Sequence, residues 1–175
     1  MTKIKDTDYL TISARIRAME TRLLNRERLE RMLEARTDEE AAKVLTECGY
    51  GELTALTHGA LDELLSAARG ALYKELKGAV PDKGLVEVFQ MKYDYHNAKT
   101  LIKAAAVGTE ADRLLMEGGR WTAAQIKDAF QRDSLRDFTD SFRQAVTQAR
   151  ELLNGGGDPQ LADFVLDRAY FEEMR

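Results

Sequence analysis

The sequence predicts an all-α protein, a helical repeat or bundle of long antiparallel helices. Three observations carry that reading. Apolar residues recur at alternating gaps of three and four along much of the chain, which is the pattern of a buried helix face. Only two prolines occur in 175 residues, and one stands where a helix would begin. No period-two alternation, the mark of a half-buried strand, persists anywhere.

The first helix starts at Tyr9, with Ile12, Ile16, Met19 and Leu23 on one face. Asn25 interrupts or caps it, and Arg26 to Ala35 continues as a second, highly charged piece. Thr37 to Glu40, "TDEE", has the form of a capping box, with Thr37 as N-cap and Glu40 reaching back. The helix it opens ends near Cys48 and Gly49, where glycine takes the left-handed conformation without steric cost. "GYGELTALTHG" (Gly49 to Gly59) is a loop, and Thr57 or His58 starts the next helix, which ends near Lys77. Gly70 inside it weakens it slightly relative to alanine.

After the turn "GAVPDKG", Leu85 to Val107 reads as one helix, roughly 35 Å long at 1.5 Å per residue, and Gly108 stops it. Thr122 with Gln125 makes a second capping box, and helices follow over 122–132 and 135–153. "NGGGDP" (Asn154 to Pro159) is the clearest linker. Asp158 as N-cap and Pro159 at the first helical position open a final helix. Its apolar stripe (Leu161, Phe164, Val165, Ala169, Phe171 or Met174) needs a partner. The stripe is still uncapped at Arg175. The expected organisation is therefore a helical domain over 1–153, then a linker and the start of a further helical unit over 154–175, in a longer polypeptide. "RGALYKEL" (Arg69 to Leu76) is echoed by "DRAYFEEM" (Asp167 to Met174), as a repeat unit would be.

Composition narrows the function. The net charge of −4 argues against nucleic acid as a partner, because phosphate binding needs a basic face. The single cysteine, Cys48, excludes a disulfide framework and a thiolate zinc cluster; it reads as a small, half-buried residue. No stretch approaches the ~20 apolar residues of a membrane span, so membrane association is expected to be peripheral.

The densest polar cluster is "FQMKYDYHNAKTLIKA" (Phe89 to Ala104). On a helical wheel, Lys92, His96, Lys99 and Lys103 fall within about 60° of one another as a basic stripe, solvated or facing a partner. Val88, Met91, Tyr95, Ala98, Ile102 and Ala105 line one flank, and Phe89, Tyr93, Thr100 and Ala104 the other. Gln90, Asp94, Asn97 and Leu101 lie opposite the stripe, between two apolar flanks, so Asp94 and Asn97 are expected to be at least partly buried and to act as structural anchors. A carboxylate there needs a cation, and the first helix offers Arg15 and Arg22. A metal site would want ligands three or four positions apart on one face, whereas Asp94 and His96 point about 160° apart. "GGGD" lacks the Lys-Ser/Thr of a phosphate loop. Trp121, beside two glycines, reads as core packing, or else as an anchor for a loop or a partner. No catalytic, cofactor-binding or metal-binding residue is assigned, and no cofactor is expected.

"YLTISARIRAMETRLL", "LTECGYGEL" and "FQMKYDYHNAKTLIKAAAVG", in that order and spacing, resemble the V-type ATPase central-stalk component called C in bacteria and archaea and d in eukaryotes. The resemblance is strong over 9–108 and looser to 175. It implies an all-helical, funnel-shaped socket between the central rotor stalk and the membrane rotor ring, with members roughly twice as long as this chain. It also implies a non-catalytic role in ion transport, since ATP chemistry belongs to other subunits. The implied place is cytoplasmic, at the inner face of the membrane as part of the ATPase complex. The alternative is a helical adaptor or scaffold domain unrelated to ion transport.

Overall fold

The computed structural model describes residues 4–53 and 57–175. Among these residues the chain forms eight α-helices, two short 3₁₀ turns and no strand. The helices are α1 (Leu10–Glu20), α2 (Arg26–Glu34), α3 (Asp38–Glu47), α4 (His58–Ala79), α5 (Gly84–Val107), α6 (Ala123–Gln131), α7 (Asp140–Asn154) and α8 (Pro159–Glu173). Part of the loop expected over Gly49–Gly59, namely 54–56, lies outside the described residues. Two compact units result, Met1–Lys83 and Gly84–Arg175.

In the first unit, Asn25 caps α2 by accepting from the Arg28 amide at 2.9 Å. Thr37 caps α3 by accepting from the Glu40 amide at 3.3 Å. The expected reciprocal bond differs: Glu40 reaches one residue further back and accepts from the Arg36 amide at 2.9 Å. The buried residues Ala42, Val44 and Leu45 of α3, with Cys48 after it, supply the core. The unit's α3 ends as a left-handed turn at Gly49 (φ +84°), with the Tyr50 amide donating to the Leu45 carbonyl at 3.1 Å. Cys48 is therefore fully buried, where half-burial was expected.

The second unit is built around α5. Phe142, Ala145, Val146 and Ala149 of α7 follow the i, i+3, i+4, i+7 spacing and are all buried. They meet Tyr95, Ala98 and Ile102 of α5, Ile126 and Ala129 of α6, and Ala162 and Leu166 of α8 in one apolar cluster. Alanines at these crossings let helices approach closely, and Phe142 fills the centre. Its ring stacks on Phe138 and meets Tyr95 edge-on, each at 5.2 Å between centroids. The second capping box forms as expected, with both Thr122 and Gln125 engaged.

One boundary and one flank differ from expectation. The helix α7 begins at Asp140, not near 135, because Thr139 caps it and Phe138 closes a turn onto the Leu135 carbonyl at 3.2 Å. Just beyond the end of α6, Asp133 sits left-handed at φ 50°. Phe89, placed on an apolar flank of α5, is 64% exposed. The stripe of α8 is divided: Ala162 and Leu166 are buried and Val165, Ala169 and Tyr170 pack on the cluster, while Leu161, Phe164, Phe171 and Met174 remain exposed.

Candidate functional site

The polar line of α5 is buried as a line: Gln90, Asp94 and Asn97 each lose nearly all contact with solvent. Each hydrogen-bonds to backbone of the segment between α5 and α6, although Gln90 Oε1 accepts no hydrogen bond. The Gln90 amide donates to the Gly118 and Gly119 carbonyls at 3.3 and 2.8 Å. Asn97 makes a reciprocal pair with Met116, donating to its carbonyl and accepting from its amide, both at 2.8 Å. Asp94 accepts from the Arg120 amide at 3.0 Å and from Arg120 Nε at 2.6 Å. One helix face thus fixes a loop that has no regular ladder of its own, which resolves the burial of its backbone groups.

Gly119 makes this possible. A Cβ at that position would collide with Asp94 Oδ1 and stand 2.9 Å from the Trp121 carbonyl oxygen. Only glycine lets the loop backbone lie against the carboxylate.

Arg120 carries the arrangement to α8. Its Nη1 donates to Glu173 Oε1 at 2.6 Å, and the Tyr95 hydroxyl donates to Glu173 Oε2 at 2.7 Å. The guanidinium also lies 4.4 Å from the centroid of the Trp121 ring, which itself packs edge-on to Phe138 at 4.7 Å. The side chains of Asp94, Arg120 and Glu173 are 0%, 8% and 12% exposed, so the charges interact in a low-dielectric interior. Burial pushes the Asp94 carboxyl up to about 6, against the opposing pull of Arg120 and the loop amides. Burial and Glu173 push the Tyr95 hydroxyl up. Burial would also raise Glu173, but Arg120, Tyr95 and Thr139 outweigh it and hold the carboxyl below its usual range. The two carboxylates together outweigh burial at Arg120 and keep the guanidinium charged.

Asp94 and Asn97 therefore sit buried on the same face, but the cation is not the one expected. It is Arg120, 26 residues along the chain. Arg15 pairs instead with Glu75, joining α1 to α4 within the first unit. The basic stripe also differs from a freely solvated face. Lys99 and Lys103 pair with Asp167 and Asp163 of α8, each at 2.5 Å, and the reversed order of the partners shows that the two helices run antiparallel. His96 hydrogen-bonds to the Leu114 carbonyl at 3.0 Å, and Lys92 is exposed with its ammonium 4.9 Å from the Tyr93 ring. Asp94 holds Arg120 and His96 holds the Leu114 carbonyl, so the two share no partner.

Sequence reasoning missed Gly119, Arg120, Glu173 and Tyr95 as members of this cluster. The available signal was "GGRW": two glycines that permit close backbone approach, followed by a cation and an aromatic. The chemistry of the arrangement is that of a clasp. It joins α5, the loop and the end of α8 through charge-assisted hydrogen bonds.

Among the described residues, no helix is long and apolar enough to cross a membrane. The C subunit of the V-type sodium ATPase of Enterococcus hirae is 24% identical over 172 residues, covering 96% of this chain and 52% of its own length. The C subunit of the A-type ATP synthase of Methanocaldococcus jannaschii is 27% identical over 187 residues, covering 95% of this chain and 46% of its own length. The chain thus spans about half the length of the curated relatives it matches. No solved structure matches significantly. The family model described as ATP synthase (C/AC39) subunit matches residues 12–175, and the chain belongs to that family.

Proposed function

We propose that this chain acts as a non-catalytic coupling element of a V/A-type rotary ATPase, linking the central rotor stalk to the membrane rotor ring. The observation that carries this reading is the family match over residues 12–175, joined by relatives named as the C subunits of a sodium ATPase and of an ATP synthase. The physical character of the second unit supports it. A part that transmits torque must resist bending, and here the loop between α5 and α6 is tied down by buried hydrogen bonds instead of being left free. Paired charges between α5 and α8 tie the outer edge of the same unit. The polypeptide works at the cytoplasmic face of the membrane, held there by its partners.

The test is co-purification from native membranes. An epitope-tagged chain, extracted in mild detergent, is expected to bring down stalk and ring subunits of the rotary ATPase in fixed ratio. Recovery of the chain free of every ATPase subunit would reject the reading.

A further inference from the structure

Within the second unit, two carboxylates share one guanidinium. Asp94 is fully buried, and Glu173 and Arg120 nearly so. Tyr95 from α5 adds a neutral hydroxyl donor to Glu173. The remaining partners of Asp94 are the Arg120 and Trp121 amides, at 3.0 and 3.5 Å. With both carboxylates ionised, the cluster holds one uncompensated negative charge away from water. Like charges in one site raise the proton affinity of one member. Asp94 has no solvent contact at all, and burial has already brought its carboxyl up to about 6.

We propose that Asp94, Arg120 and Glu173 form an acid-sensitive latch, in which a proton taken up by Asp94 turns the Arg120 side chain to Glu173 and weakens the hold of α5 on the Arg120–Trp121 stretch. The geometry sets the sequence of events. A protonated carboxyl presents a hydroxyl where Arg120 Nε–H now donates at 2.6 Å, so donor meets donor. The guanidinium already holds its second partner, with Nη1 and Nη2 at 2.6 and 3.4 Å from the Glu173 oxygens. Release stays local, because Asn97 does not titrate and keeps its reciprocal grip on Met116.

Trp121 is the only tryptophan in the chain and lies beside the Arg120 guanidinium, so its fluorescence reports the latch directly. The titration is done in a His96→Gln background, which leaves no imidazole in this unit. The expected curve has a midpoint near 6. Asp94→Asn abolishes it. Glu173→Gln leaves one carboxylate on one cation and moves the midpoint down by about one pH unit or more. The Trp121 amide, corrected for intrinsic chemical exchange, is expected to exchange faster below the midpoint than above it, while the Met116 amide is unchanged. A flat curve, a curve that survives Asp94→Asn, or a midpoint indifferent to Glu173→Gln would each overturn the latch.

Discussion

Replacing Arg120 by methionine keeps an unbranched side chain in the same space. It removes the cation that hydrogen-bonds both Asp94 and Glu173. Breaking a buried ion pair by deleting one partner costs about 3–5 kcal/mol, because the other charge is left behind. Protonation caps the Asp94 share of that loss: with the carboxyl already pushed up to about 6, keeping it neutral at pH 7 adds about 1.4 kcal/mol, and the remainder falls on the stranded Glu173. For a chain of this length each kcal/mol moves the thermal midpoint by about 2–4 °C, so Arg120→Met is expected to lower it by about 6–20 °C at pH 7.

The sign with pH is distinctive. A carboxyl raised above its unfolded value contributes stability in acid and loses it as pH rises through the folded value. Arg120→Met raises Asp94 further, so the variant should recover stability from pH 7 toward pH 5 more steeply than the wild type, by up to about 1.4 kcal/mol per unit. Glu173 has the opposite sign in the wild type, since its carboxyl is lowered, and its contribution is lost only as pH falls below its ordinary range. Differential scanning calorimetry across this range decides the matter. A midpoint within about 2 °C of wild type at pH 7, or a deficit that grows toward pH 5, would refute the clasp.

Other outcomes follow from the same geometry. Gly119→Ala forces the loop off Asp94 and should cost about 1–3 kcal/mol by chemical denaturation, with faster exchange of the Arg120 amide; unchanged stability would mean that the close approach is absent. Phe142→Ala empties the centre of the cluster and is expected to cost about 3–5 kcal/mol, read from the same denaturation curves. Lys103→Ala removes a partly exposed pair with Asp163 and should cost no more than about 1 kcal/mol, shrinking further in high salt.

Much of this was legible from residue spacing, because local periodicity determines which face of a helix is buried. The Gln90, Asp94 and Asn97 line falls between two apolar flanks, and all three residues are buried. Capping residues likewise announced themselves at Asn25, Thr37, Thr122 and Asp158, since an N-cap interacts within its own first turn. The partner of Asp94 was not legible. Arg15 and Arg120 are equivalent as cations, and only the path of the loop selects Arg120. The match of Lys99 and Lys103 to Asp167 and Asp163 was half legible: both pairs have i, i+4 spacing, but nothing in the sequence sets two helices side by side in that register. Phe89 shows the limit of periodicity, which tells where a flank points and not what covers it.

Coupling of stalk to ring without chemistry of its own is tested most directly by comparing ATP hydrolysis with ion pumping in native membrane vesicles carrying Arg120→Met in the intact complex. Hydrolysis is expected to persist while ions transported per ATP fall, because the catalytic subunits are intact and the mechanical link is softened. Pumping that stays in strict proportion to hydrolysis, in vesicles where the variant is assembled and its thermal midpoint is lowered, would contradict the coupling role.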